Sequence, residues 1–487
     1  MSATAPLPSP PFALDDALAW LALPPGEDPL RDLAPLRRCL QTLAVVDIPP
    51  SHKLRIFEVL EPRVRRVHLA VMPLLLDAPL PRSRSLCDIT RAMNQIHGLC
   101  ADILLVAAAT DDANQPVRQH RSIEQICRSA LIQLEQQLML ALMAFGQPPP
   151  GLWLRTDSAY RLFETGADVE CVGTFGRMLA LASAQPESFT SRELAFLREV
   201  LIQLQKMASV SHEQPQGTKP FFWCDTAHDQ SPVASSRQWP TPIPGLLYIS
   251  FSPLLSVLAG LLEHLETGTP AARLGLPREA NQPDYLNVLR RAQTLWLAPP
   301  KRHFPRRRQS HEVHLCVRLG ELWRVLQEEQ SNDPEISKWM IINKSPNGCS
   351  VEHVSGNISG LVAGGALGMR ETPNSPWSIC LVRWIRSGAS ERVELGIEFV
   401  APDAKPVRVV GGSAGEESTP GLLLPAMPQI GRREALLITR GRHAQQHFNL
   451  VIEKKGKVML ATCIPGTLIQ QTNRIEIFEF VRTRLPG

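Results

Sequence analysis

What this sequence lacks narrows its reading first. No CxxC pair occurs among its 10 cysteines (Cys39, Cys87, Cys100, Cys127, Cys171, Cys224, Cys316, Cys349, Cys380 and Cys463), most of which sit inside apolar runs. That pattern reads as reduced core thiols in a cytosolic protein rather than a disulfide framework or a zinc site. Cys224 and His228 form a lone pair without two further ligands, so no metal is expected there. A large excess of one charge is also missing, since 51 Lys and Arg stand against 47 Asp and Glu, a net charge of +4. The molecule as a whole is therefore no electrostatic binder of nucleic acid, and any basic site must be local. The N-terminal MSATAPLPSPPFALDD has neither a cationic n-region nor an apolar h-region, so no secretion signal is expected. The run Gly245–Leu262 has the length of a membrane span, but Pro253 and three serines interrupt it. It reads instead as a short extended piece, Leu246–Phe251, followed by a helix capped by Ser252 with Pro253 at its first position. No GxSxG, Walker A, HExxH or GxGxxG motif stands in a supporting context, so neither catalysis nor a cofactor is expected. Leu361–Gly368, LVAGGALG, is glycine-rich but lacks the Lys-Ser/Thr of a phosphate loop, and reads as a small-residue strand or a bend.

What is present is a chain of 487 residues, long enough for about two to four domains. Its 44% hydrophobic and 20% charged residues are those of a soluble globular protein, and its 43 prolines imply many element breaks. From Phe12 to Met207 the apolar period is helical. Leu86, Ile89, Met93, Ile96, Cys100 and Ile103 form one stripe; Ile123, Cys127, Ala130, Leu134, Leu138, Ala141 and Phe145 form another, ended by Gly146 and three prolines. Thr190–Glu193, TSRE, is a capping box, with Phe189 and Leu194 placed as a hydrophobic staple. These stripes are the seams of a helical bundle, expected over residues 1–208.

Residues 209–298 are expected to be linker followed by further helices, because Ser, Pro and Gln dominate up to Pro244 and the helical period resumes at Pro253. Beyond Arg308 the period becomes two. VHLCVRL, WMII, ICLVRWI and VELGIEFV, starting at Val313, Trp339, Ile379 and Val393, are strand-like, with turn signals such as SPNG and TPNSP between them. Leu319–Gln330 reads as a short helix among them. More strands are expected at Ala435–Thr439, Phe448–Glu453, Lys457–Cys463 and Ile475–Val481, with KKGK at 454–457 as a tight hairpin turn. The fold class is thus α+β: an all-α bundle, then a small antiparallel β-barrel over 299–402, then a β-rich extension over 403–487 that is either more of the same barrel or a second β domain.

At the join lies RHFPRRR, Arg302–Arg308, which with Lys301 puts five cations into eight residues. RHFPR fits an RxxxR signature, and NKSPNG, Asn343–Gly348, fits [D/N]xSxxG. In that order and in a β-rich region, the two motifs resemble those of the PilZ family of bacterial receptors for cyclic di-GMP. LVRWI and LGIEF, from Leu381 and Leu395, look like that family's closing strands. The resemblance covers roughly 299–402 and implies a cytoplasmic bacterial protein with a ligand-binding barrel.

The chemistry of the residues is compatible with such a ligand. Guanidinium groups bind phosphate oxygens and guanine O6 and N7 in a bidentate way, and stack on flat bases. Arg302 and Arg306 are thus candidate phosphate and base clamps, with Arg307 and Arg308 either adding contacts or raising the local field. Asn343 and Ser345, two apart on one strand, face the same way and are candidate base-edge and phosphate contacts. Gly348 is expected to adopt positive φ in the turn and to let the ligand come close. Trp384 reads either as a neighbour of the ligand or, the preferred reading, as a core tryptophan on a closing strand. Pro346 directly after the serine departs from the usual pattern.

The function expected is that of a receptor in which ligand binding reorients the barrel against the helical half, which would meet an unidentified protein partner. Two other classes remain open: a ligand-independent scaffold, and a polyanion binder acting on RNA or anionic lipid through the same arginines. The short patch and slight net charge count against nucleic acid.

Overall fold

The computed structural model describes residues 14–76, 78–109, 121–163, 169–204, 207–216, 220–241, 243–299, 301, 304–327, 336–387, 392–411, 418–441, 447–454 and 457–483. Eight helices come first: α1 (Leu14–Ala22), α2 (Leu33–Val45), α3 (Pro50–Leu76), α4 (Arg84–Ala109), α5 (Ile123–Met143), α6 (Leu152–Phe163), α7 (Val169–Ser183) and α8 (Ser191–Gln203). Most of the predicted stripes of α4 and α5 lie in the core; Leu86, Ile89 and Ile123 are half-buried at its edge, and Phe145 falls past the end of α5. Helix α4 is long and apolar enough to cross a membrane by length and composition, yet most of its apolar window is buried against its neighbours. The Thr190 and Glu193 capping box forms as expected, and a second one joins Ser122 and Gln125 at the start of α5.

Residues 209–298 differ from the expected linker. Strands β1 (Ser209–Ser211), β2 (Phe222–Cys224), β3 (Val233–Ala234) and β4 (Leu247–Ser250) make a small sheet in the order β1-β4-β2-β3, followed by α9 (Ser252–Glu266) and α10 (Pro283–Leu297). Their apolar side chains join the helical core, which runs continuously from Ala17 to Trp296. The polar composition belongs to the loops, whereas Phe222, Leu247 and Ile249 supply the buried face. Helix α9 begins one residue earlier than expected, with Ser252 as its first residue; the Ser250 hydroxyl accepts from the Ser252 amide.

The β half holds two barrels. The first contains β5 (Arg307–Arg308), β6 (Glu312–Val317), β7 (Ile336–Ser345), β8 (Gly348–Ser355), β9 (Ala366–Arg370), β10 (Ser378–Ser387) and β11 (Val393–Ala401), with helix α11 (Leu319–Gln327) after β6. Its strands close in the ring β6-β7-β8-β11-β10-β9. The second contains β12 (Lys405–Gly411), β13 (Thr419–Leu424), β14 (Ala435–Thr439), β15 (Phe448–Lys454), β16 (Lys457–Gln471) and β17 (Ile475–Thr483), closed as β12-β13-β14-β17-β16-β15. Counted along the chain, both rings connect strands 1-2-3-6-5-4, so the C-terminal extension repeats the topology of the first barrel. Lys454 opposes Lys457 in register, and residues 455–456 of the expected KKGK turn lie outside the described residues. The glycine-rich stretch ends in β9; Gly368 sits where α11 packs, because a Cβ there would collide with Leu322.

Apolar seams join these units. Helix α11 is wedged between the barrels, with Leu322 and Trp323 in a core shared with Leu422, Leu437 and Ile477 of the second barrel. The Trp323 indole donates to Val407 O at 2.7 Å. On the other side, Leu80 and Phe145 of the helical half enter the core of the first barrel. Phe145 has φ 56° and follows the C-cap of α5, a position that glycine usually fills. The backbone strain, on the order of 1 kcal/mol, is offset by burying the ring. The Ser387 amide donates to Phe145 O at 2.8 Å, and Arg82 stacks over the ring while capping the last carbonyls of α5.

Candidate ligand-binding face

The two sequence motifs, more than thirty residues apart, meet because β5 lies antiparallel along β7. Arg307 opposes Lys344 and Arg308 opposes Asn343. Strand β6 continues along the same edge of β7, so Arg307–Val317 act as one interrupted strand. Arg306, Arg307 and Arg308 are exposed; Arg302 lies outside the described residues.

A register shift between Ile341 and Asn343 then decides which face the second motif uses. Ile341 opposes Val351 on the core side, but Asn343 opposes Ser350 and Ser345 opposes Gly348. The extra residue, Ile342, is a β-bulge, and bulges re-aim the side chains that follow. Directly opposed residues share a face, so Asn343 and Ser345 turn away from the core that Trp339 and Ile341 occupy. Asn343 Oδ1 is buried without a hydrogen-bond partner among the described residues. The Ser345 hydroxyl donates to Gly348 O at 3.1 Å.

Gly348 serves a different purpose from the one expected. Its φ is outside the left-handed region; Pro346 and Asn347 form the two-residue turn instead. A Cβ at 348 would collide with the backbone carbonyl of Ile397 on β11. The requirement is thus close approach of two strands, which only glycine meets.

The same register carries the outer face across the barrel. Ser350 opposes Gly396 on β11, and Gly396 opposes Trp384 on β10 after a second bulge. Arg308, Asn343, Ser350, Gly396 and Trp384 therefore form one lateral row over five strands; it follows the curve of the barrel, and the path along the sheet from Asn343 to Trp384 is about 14 Å at the usual strand spacing. Trp384 is half-buried and belongs to the outer surface rather than the core, contrary to the expectation from sequence. Its indole lies on Gly396, where a Cβ would overlap the ring. Alternation alone places residue 384 inward; the bulge at Arg383 is what turns it out.

Charges near the end of β7 and along β10 and β11 are arranged in pairs; Lys344, opposite the core residue Cys349, points to the other side from Asn343. Lys344 Nζ bonds Glu371 at 2.6 Å, and that hydrogen bond and the lysine charge hold the Glu371 carboxyl below its ordinary value. Burial pushes the Cys349 thiol up to about 12, against the opposing pull of Lys344 and Arg306, so it is a packed core thiol. Glu398 stands one step along the outer face from Gly396, opposite Gly348. Arg386 stacks on Trp384 at 4.8 Å and pairs with Glu187 of the helical half at 3.3 Å. Sequence reasoning did not single out Ser350, Gly396 and Glu398: Ser350 carries no motif and is buried, Gly396 and Glu398 fall within the LGIEF strand, and only strand register places them in this row. Among the described residues, no group of three metal-ligating side chains occurs.

Comparison with known proteins follows the same division. A family model described as the N-terminal domain of the cyclic-di-GMP receptor FimW matches residues 15–216. The model for the middle PilZ domain of that receptor matches residues 321–406. That match includes Asn343, Ser345, Gly348, Trp384 and Glu398, and begins after the arginine cluster. The cyclic-di-GMP receptor FimW of Pseudomonas aeruginosa is 30% identical to this chain over 135 residues, 27% of this chain and 22% of that protein.

Proposed function

For a chain that carries a PilZ domain at residues 321–406, we propose the role of a non-enzymatic cyclic di-GMP receptor in bacterial signal transduction. The observation that carries this reading is the β5–β7 pairing, which sets the arginine cluster beside Asn343 on one solvent-facing surface. Cyclic di-GMP presents two phosphates and two guanines. Arg306, with Arg307 and Arg308, would clamp phosphate oxygens and a guanine Hoogsteen edge. Arg302 enters on the motif alone. Asn343 Oδ1, buried and unpartnered among the described residues, would have to be uncovered to accept from a base or ribose donor, and Ser345 contributes a hydroxyl at the turn. Trp384 offers a flat surface for stacking at the far end of the row. Gly348 and Gly396 keep the surface low, as a protruding Cβ would obstruct it.

The response would travel through β10. Trp384 touches Arg386, Arg386 pairs with Glu187, and the next residue, Ser387, bonds Phe145. A base stacked on Trp384 would compete with or reinforce the Arg386 contact and so bias how the helical half seats on the barrel, altering the surface offered to a protein partner.

The test is calorimetry of the full-length protein with cyclic di-GMP, with GTP and cyclic di-AMP as controls, at two salt concentrations. Guanine-selective binding with a shallow salt dependence is expected, and Arg306→Ala should abolish it with the fold intact. Equal uptake of any polyanion with a steep salt slope would replace this reading with an electrostatic one.

A further inference from the structure

We propose that Glu398 reads the Watson–Crick edge of a bound guanine and that Gln470 of the second barrel holds it in place; this rests on the cyclic di-GMP reading above. Glu398 is two residues from Gly396 on β11, hence on the same outer face as Trp384 and about 7 Å along the strand. It also opposes Gly348, which puts it beside the NKSPNG turn. Its side chain is 38% exposed, and so accessible. A purine stacked on Trp384 spans roughly that distance, so its rim can reach the carboxylate.

The chemistry selects one base. Guanine N1–H and N2–H are adjacent donors, and an ionised carboxylate accepts both with its two oxygens. Adenine presents an acceptor at N1, which a carboxylate repels. Inosine keeps N1–H and lacks the N2 amine. Ser345, Asn343 and the arginines all donate; the acceptor-only groups two residues from Gly396 are Glu398 and, in the other direction, Glu394 opposite Glu352, and of these Glu398 is the one beside the NKSPNG turn.

Glu398 is also held for such a task. Gln470 Nε2 donates to its Oε2 at 3.3 Å, and Arg383 Nη1 lies 3.5 Å from the same oxygen. Both contacts fall on Oε2, so they fix the carboxylate; a guanine would take Oε1 with one donor and share Oε2, which has a second lone pair, with the other. Arg383 is the bulged residue that turns Trp384 outward, so the stacking surface and the edge reader are set by one local distortion. Gln470 comes from β16, beyond a register shift of its own, and it lines the cleft between the barrels with Ile469, Pro346 and Phe399. The second barrel thereby completes a site whose motifs lie wholly on the first.

The experiment compares cyclic di-GMP, cyclic di-IMP and cyclic di-AMP by calorimetry on the full-length protein, its Glu398→Gln variant and its Gln470→Ala variant. Unaltered protein should prefer cyclic di-GMP over cyclic di-IMP at least tenfold. Glu398→Gln should lose at least tenfold in affinity for cyclic di-GMP and bring that preference close to one, while Gln470→Ala should narrow it several-fold. Binding by the unaltered protein together with an unchanged preference in Glu398→Gln overturns the inference and leaves the receptor reading standing. Equal losses for all three ligands also overturn it, since they would mark a structural role. Absence of cyclic di-GMP binding by the unaltered protein overturns both.

Discussion

Trp384 rests directly on Gly396, so that the α-carbon of one strand is the floor for the indole of the next. Any side chain at 396 must displace the ring. Gly396→Ala is expected to lower cyclic di-GMP affinity at least tenfold without unfolding the barrel. Titration calorimetry together with far-UV circular dichroism checks both parts.

Gly348→Ala meets backbone rather than a side chain. The clash with the Ile397 carbonyl cannot be relieved by a rotamer change, so β8 and β11 must separate at their first pairs. A loss on the order of 3 kcal/mol is expected. Urea unfolding monitored by tryptophan fluorescence should show it, and an unchanged midpoint would contradict the close-approach account.

Phe145 ties the helical half to the barrel core. Phe145→Ala empties a site in that core and should cost about 3 kcal/mol. Because the lost contact is between units, differential scanning calorimetry should resolve two transitions where the parent shows closer coupling. Glu187→Ala, which removes only an ion pair with 23% and 44% exposed partners, should shift stability by less than about 1 kcal/mol.

The helical core should be acid-sensitive. His68 and His97 bond each other at 3.0 Å between α3 and α4, and His97 bonds Gln133 at 2.7 Å. Burial lowers His68 to about 3 and His97 to about 4. Unfolded histidine titrates near 6.5, so between that value and the folded values the unfolded chain binds more protons. Stability is therefore full above about pH 6.5 and falls as pH drops below it, by on the order of 2 kcal/mol for each ring at pH 5. Denaturant midpoints at pH 7.5 and pH 5.0 measure this, and His97→Gln should flatten the dependence.

Much of the architecture was legible in the chain itself. Helical stripes, the Thr190 capping box and the switch to a two-residue period depend on neighbours within a few positions, and local patterning determines them. The two motifs were likewise legible, as was their order. Tertiary structure decided the rest. Ser, Pro and Gln made 209–298 look like linker, because composition cannot tell a loop from the loops around a buried sheet. Whether 403–487 extended one barrel or closed another depended on pairing between distant strands, which no local signal encodes.

The site divides in the same way. Arg306, Asn343, Ser345 and Gly348 were named by sequence, yet the reason for Gly348 was not, since the atom that excludes a side chain belongs to residue 397. Trp384 looked like a core residue until the bulge at Arg383 turned it outward, and Glu398 acquired an address only when its strand was registered against Gly348 and its side chain met Gln470 from the second barrel. Residue type and short-range period determine which elements form. Register, bulges and the contacts between barrels determine which side chains share a face, because a one-residue slip in a strand reverses every side chain after it.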